Sequence, residues 1–134
     1  MQAMRLEQRD SVDPVQLAAQ ALGRAIQTSP EWREFESAQR AAQNDPELAM
    51  QRERLRRLSE RWNRARAEGR GLPGKEALES ASLQESVRGH ELFRREQAAA
   101  GALVALLQEA NRTISQLLEI DFAATAAPRG GCCG

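Results

Sequence analysis

The chain has 134 residues, with 19 basic and 19 acidic side chains, so its formal net charge is zero. That balance removes the global electrostatic footprint of a duplex-binding protein or of one drawn to anionic lipid, and points to protein partners. The length allows one domain with one modest core, and an aromatic content of 4%, without tyrosine, leaves that core to Leu, Ile, Val and Ala.

Three helix starts are written alike, at Asp13-Pro14, Ser29-Pro30 and Asp45-Pro46. In each, a side-chain oxygen can accept from an orphaned backbone N–H. Proline at the first helical position has no N–H to orphan and already holds the helical φ. The spacing predicts helices over about 14–28 and 30–44, joined by a tight turn. From Pro46, Leu48, Gln51, Leu55, Leu58, Trp62 and Ala65 recur at steps of three and four, predicting a third helix to about Glu68. Gly69 to Gly74, with Pro73, breaks it at the apex of a hairpin.

A short helical piece is expected over about Lys75 to Ser80. Ser82-Leu83-Gln84-Glu85 then has capping-box spacing and predicts a last helix reaching Glu119, about 37 residues and on the order of 55 Å. Its stripe of Phe93, Ala100, Leu103, Leu107, Ala110, Ile114 and Leu117 has heptad character and predicts pairing with the third helix and with another chain. Val104, Leu106 and Leu118 widen the stripe beyond what one partner helix covers. Gly89 and Gly101 weaken the helix and mark a kink or a close approach. The fold class is therefore all-α, with short N-terminal helices on a long antiparallel hairpin that self-associates as a dimer or higher homo-oligomer. Leu55, Leu58, Trp62, Leu103, Leu107, Ile114 and Leu117 are the expected interface. Residues 1–12 read as a flexible N-terminus, 13–122 as the helical domain and 123–134 as a flexible tail.

No apolar run approaches the roughly 18–20 residues that span a bilayer, and Met1 to Asp10 is too polar for a signal-peptide core, so a cytoplasmic protein is expected. No catalytic constellation or small-molecule substrate site is visible. Eight arginines between Arg52 and Arg70, opposed by Glu53, Glu60 and Glu68, read first as a solvated face laced by i,i+4 pairs. The alternative is an RNA or partner docking face centred on Arg57, Arg61 and Arg64. His90, the sole histidine, reads as a partly exposed helical residue with no chemical role. Trp32 and Phe35 share one face of the second helix and are expected to anchor it.

The only thiols, Cys132 and Cys133, follow Pro128-Arg129-Gly130-Gly131. A disulfide between neighbours would close almost no loop and needs strained geometry. Thiolates also bind zinc and iron-sulfur clusters, but such sites take four ligands, so a site here would be shared between subunits; the alternative is an inert, oxidisable tail.

The order of these signals resembles the YlbF/YmcA family of small bacterial helical regulators over roughly residues 12–122. The resemblance is carried by Asp13-Pro14 leading through Leu17, Ala18, Leu22, Gly23 and Ile26, by Pro30-Glu31-Trp32-Arg33-Glu34-Phe35, and by Leu103 to Phe122. It implies a self-associating helical hairpin with a regulatory role and no catalysis. Some members of the family join a paralogue and a third protein, YaaT, in a complex that modulates ribonuclease Y and affects competence, sporulation and biofilm formation. In that complex C-terminal cysteines help hold iron-sulfur clusters. Here only Cys132 and Cys133 can correspond, and their adjacency departs from a well-spaced ligand set. If the resemblance holds, the Arg52 to Arg70 face becomes a docking surface for RNA or a ribonuclease. A plain homo-oligomeric scaffold is the remaining alternative.

Overall fold

The computed structural model describes residues 13–130, and these form six α-helices with no strand. They are α1 (Pro14–Gln27), α2 (Pro30–Asn44), α3 (Pro46–Ala67), α4 (Gly74–Gly89), α5 (Glu91–Leu118) and α6 (Phe122–Ala126). The three capping pairs act as the sequence predicts. Asp13 accepts from the Val15 N–H at 2.9 Å, Ser29 from Trp32 at 3.2 Å and Asp45 from Leu48 at 2.9 Å, each with proline next in the chain.

The last helix differs from its expected form. A single helix over 82–119 does not exist: α4 begins at Gly74, passes through Ser82 without using its capping box, and stops at Gly89. The short piece expected over 75–80 is part of α4. His90 takes an extended conformation, φ −69° and ψ 128°, and starts α5 as its N-cap, its Nδ1 accepting from the Leu92 N–H at 3.2 Å. Glycine supplies the weak point, since it gives up about 1 kcal/mol of helix propensity relative to alanine, and the imidazole supplies the new start. The side chain read as inert is thus a structural one. Gly101 does not interrupt α5 and marks no close approach within the described residues: the helix runs through it, and a Cβ there would meet nothing within 4 Å.

The break decides the architecture. The α4 helix returns along α3 from the 69–73 apex, with Arg61 paired to Glu76, Arg54 to Glu79, and Gln51 donating to Ser86 Oγ at 2.9 Å. Past His90 the chain leaves this hairpin, and α5 runs antiparallel to α2 instead of continuing beside α3, where the sequence placed it. Arg95 of α5 holds α2 through Glu34 at 2.7 Å and Ser37 at 3.0 Å. At 28 residues α5 is about 42 Å long, whereas α2, at 15 residues, is about 22 Å, so α2 covers roughly its first half. The hairpin and the α2–α5 layer join where Ala42, Leu48 and Val87 form a core cluster flanked by Leu55, Leu92 and Phe93. Arg52, ion-paired with Glu96, lies over the Phe93 ring at 5.6 Å from its centroid and seals this junction. Trp32 and Phe35 are half-buried on α2, their centroids 6.1 Å apart.

The exposed ion pairs carry an acid dependence. Hydrogen bonds from Arg56 and Arg57 hold the Glu53 carboxyl down to about 2, and the bond from Arg95 lowers that of Glu34. A carboxyl whose folded pKa lies below its unfolded value contributes stability above the unfolded value and loses it as pH falls toward the folded one. Thermal melts should therefore shift downward between the ordinary carboxylate value, 4.5, and about 2, and Glu53→Gln should flatten that part of the profile. An unchanged profile in the variant would show that these surface pairs contribute nothing.

Candidate assembly surface

The interior is small for a chain of 14.9 kDa. Among the described residues only Ala38, Ala42, Leu48, Leu58, Val87, Ala99 and Leu103 are buried, three of them alanines, and Leu48 is the one large side chain fully out of water. The accessible surface is 11089 Å², against about 7,000 Å² for a compact monomer of this mass. Part of the surface among the described residues is apolar, with Val15, Leu22, Trp62, Leu118 and Phe122 exposed.

Two concave regions hold it. The first lies between α1 and the C-terminal half of α5, with α6 at its end. It encloses about 630 Å³ and is lined by Val15, Ala18, Leu22, Ala110, Ile114 and Phe122, with no charged side chain among its lining residues. The α1 helix is amphipathic yet buries no residue, because the half of α5 beside it lies beyond the reach of α2. The far end is fixed by polar detail. Glu119 closes α5 in the left-handed conformation, φ 57°, and reverses the chain. Ser115 Oγ then accepts from the Phe122 N–H at 3.0 Å, Asn111 Oδ1 from Ala123 at 3.0 Å, and Asp121 caps α6. These bonds place Phe122 at the mouth of the groove, at the start of a short helix that runs from the last residue of the expected helical domain into the segment read from sequence as tail.

The second region is a cleft of about 560 Å³ between α3 and α4, lined by Leu55, Leu58, Trp62, Leu72, Ala77 and Gln84. Arginines edge it. Six of the eight between Arg52 and Arg70 are ion-paired: Arg52 with Glu96, Arg54 with Glu79, Arg56 with Glu53 and Glu60, Arg57 with Glu53, Arg61 with Glu76, and Arg70 with Glu68. Arg64 and Arg66 have no ion pair among the described residues. Of the proposed docking trio, Arg57 and Arg61 therefore have acidic partners and Arg64 has none. This is the solvated, self-compensated face that the i,i+4 spacing predicts, reinforced by acids from α4 and α5 that spacing cannot reveal.

The seven residues expected at an interface divide between two roles. Leu58 and Leu103 are buried within the chain and belong to its interior. Leu55 and Ile114 are half-buried, and Trp62, Leu107 and Leu117 are exposed. The heptad stripe of α5 thus serves two partners: its first half is occupied by α2 and its second is open. Sequence reading missed α1 as a lining element, although the spacing of Val15, Ala18 and Leu22 is its visible signal. Cys132 and Cys133 lie outside the described residues, and among those described no group of three His, Cys, Asp or Glu side chains is placed to hold a metal. No described helix is long and apolar enough to cross a membrane.

The described residues define the class: a small, thin-cored all-α protein with open apolar concavities. The chain belongs to the YlbF/YmcA family, since the family model described as "Control of competence regulator ComK, YlbF/YmcA" matches residues 15–119. Its fold is similar to that of Bacillus subtilis RicA, solved in complex with RicF, with a TM-score of 0.71 at 16% identity over 80% of this chain and 96% of that one. It is also similar to a protein of unknown function (DUF964) from Bacillus stearothermophilus, with a TM-score of 0.56 at 17% identity over 80% and 94% of the two chains. No curated protein matches the sequence.

Proposed function

We propose that this chain is a non-enzymatic, cytoplasmic regulatory adaptor that acts by helix-mediated assembly within a complex modulating ribonuclease Y-dependent RNA processing. The observation that carries the reading is the apolar surface left open along α1, α5 and α6 and between α3 and α4: the chain is built to be covered. Membership of a regulator family supports it, as does a structural neighbour solved in complex with another protein. The partners this reading implies are a paralogue of the same family and a YaaT-like third protein. Direct RNA binding is the weaker alternative, because most of the arginines it needs are already paired within the chain.

In the same reading Cys132 and Cys133 contribute thiolates to an iron-sulfur cluster shared between subunits. The donor chemistry suits iron, and two sulfurs from one chain leave the remaining ligands of a four-ligand cluster to others. A cluster that forms only in the assembled state would favour that state by its binding free energy, which links assembly to iron or redox status. The test is anaerobic purification, alone and co-expressed with paralogues from the same genome, with iron and acid-labile sulfide assayed beside a Cys132→Ser/Cys133→Ser control. Cysteine-dependent iron and sulfide in the assembled sample is the expected result. Neither element in any sample, with assembly intact, would leave a purely structural adaptor.

A further inference from the structure

The outer half of the α3–α4 hairpin has the form of a helical bundle short of one helix. At its base the core cluster closes the hairpin against α2 and α5, with Leu55 flanking it. Further out Leu58 and Trp62 of α3 face Ala77 and Ala81 of α4, and the cleft between them is lined by these two helices and Leu72 alone. Leu58 is buried, while Trp62 is 41% exposed. The small side chains of the α4 wall leave room beside the indole for bulky groups from outside, and tryptophan is among the residues that most often anchor an interface. A furrow between two antiparallel helices accepts a third helix through side chains repeating every three and four residues.

The charge around the cleft selects the helix. Its lining has no charged side chain, but its outer end is cationic even after every ion pair is subtracted. From residue 53 to residue 79 each carboxylate has an arginine partner: Glu53 and Glu60 with Arg56, Glu68 with Arg70, Glu76 with Arg61 and Glu79 with Arg54. Arg64, Arg66 and Lys75 have no ion pair among the described residues, and all three are exposed near the 69–73 apex. Arg66 is the best placed of them. It lies four residues past Trp62, hence one turn further along the same face of α3. An occupant of the cleft therefore meets apolar surface in its middle and unpaired positive charge at the hairpin tip.

We propose that the α3–α4 cleft takes an amphipathic, acidic-ended helix of another protein, its apolar side chains against Leu55, Leu58 and Trp62 and its carboxylates over the tip beside Arg66. A second copy of this chain does not supply such a helix from its open elements: α1 carries Arg24 as its single charged residue, and on the open half of α5 Glu109 is paired with Arg112. Leu55 to Arg66 spans about twelve residues, roughly 17 Å, which sets the length of the docked segment at three to four turns. The proposal rests on the adaptor reading and deepens it by naming the chemistry of the segment that one of its surfaces accepts.

Fluorescence anisotropy with the full chain and labelled synthetic helices tests it. The first probe is a peptide of about twelve residues with leucines at alternating steps of three and four, two glutamates in its first turn, and alanine and glutamine elsewhere. The second has lysines in place of the glutamates, the third has the leucines scrambled, and a single-stranded RNA oligonucleotide is run beside them. The proteins are the unaltered chain, Trp62→Ala, Arg66→Glu/Lys75→Glu and, as a control on the other surface, Leu117→Glu, each checked for parental helical content by circular dichroism. The glutamate peptide should bind the unaltered chain, with a dissociation constant at least tenfold higher in Trp62→Ala and in the charge-reversed variant and changed less than threefold in Leu117→Glu. The lysine peptide should show the opposite order, binding the charge-reversed variant more tightly than the unaltered chain, a rescue that a merely unfolded variant cannot give. No binding of the glutamate peptide, binding indifferent to Trp62, or equal affinity for the two charge forms would overturn the assignment. If the chain that binds no peptide still assembles with a paralogue, the adaptor reading stands without it, whereas Trp62-dependent binding of the RNA alone would overturn both.

Discussion

Leu48→Ala is expected to lower the unfolding free energy by about 2–5 kcal/mol, the range for truncating a fully buried leucine. Among the described residues Leu48 is the one large side chain with 0% exposure, and it sits where α2, α3, α4 and α5 converge. Its neighbours cannot compensate. Ala42 is a single methyl, Val87 is β-branched and held on α4 by the junction, and the flanking Leu55, Leu92 and Phe93 are already half-buried, so the space left would persist as a cavity. For a domain whose total stability is on the order of 5–15 kcal/mol, this is a large fraction. Urea unfolding followed by circular dichroism measures it, with Leu78→Ala as control, since Leu78 is exposed on α4 and should cost no more than about 0.5 kcal/mol. Near-equal costs for the two variants would mean that the hairpin and the α2–α5 layer are not joined through Leu48.

The second large effect is expected at Asp45. Its Oδ2 accepts from the Leu48 N–H and so caps α3, and the same atom lies 3.2 Å from His90 Nε2. His90 Nδ1 accepts from the Leu92 N–H to cap α5, so its other ring nitrogen, Nε2, faces the Asp45 carboxylate. One carboxylate and one imidazole therefore terminate two helices and tie them together. Asp45→Ala should cost about 1–2 kcal/mol for the lost cap, and more to the extent that the partly buried imidazole loses its polar neighbour. A double-mutant cycle with His90→Ala should show a coupling of about 0.5–3 kcal/mol, as expected for residues in contact. Additive losses would reduce His90 to a local cap with no bearing on how α5 is aimed.

Much of this fold was legible because helix starts are local chemistry. Asp or Ser before proline needs no tertiary information, and α1, α2 and α3 begin where those pairs stand. The apex at 69–73 was equally plain from its glycines and proline. The break between α4 and α5 was not, because His90 carries no general signal for a helix N-cap: it acts as one only when its ring is oriented by a partner, and that partner, Asp45, lies far away in sequence. Missing the break led to the wrong partner for α5, since an unbroken helix would have to continue along α3. The candidate surface was legible in part. Periodicity identifies Leu107, Ile114 and Leu117 as an apolar stripe but cannot divide it into a half covered by α2 and a half left open, which depends on the relative lengths of the two helices. Likewise, eight arginines in a row of helical turns announce charge, but only the fold reveals the acids of α4 and α5 that offset it.

The central claim is that this chain functions by being covered along its open apolar surfaces. Hydrogen–deuterium exchange on the full chain, alone at low concentration and then in its assembled form with a paralogue from the same genome, tests that claim most directly. Added protection concentrated in α1, the C-terminal half of α5 and the α3–α4 cleft is the predicted result. Assembly that protects none of these segments, or no assembly at any concentration or with any family partner, would contradict the account.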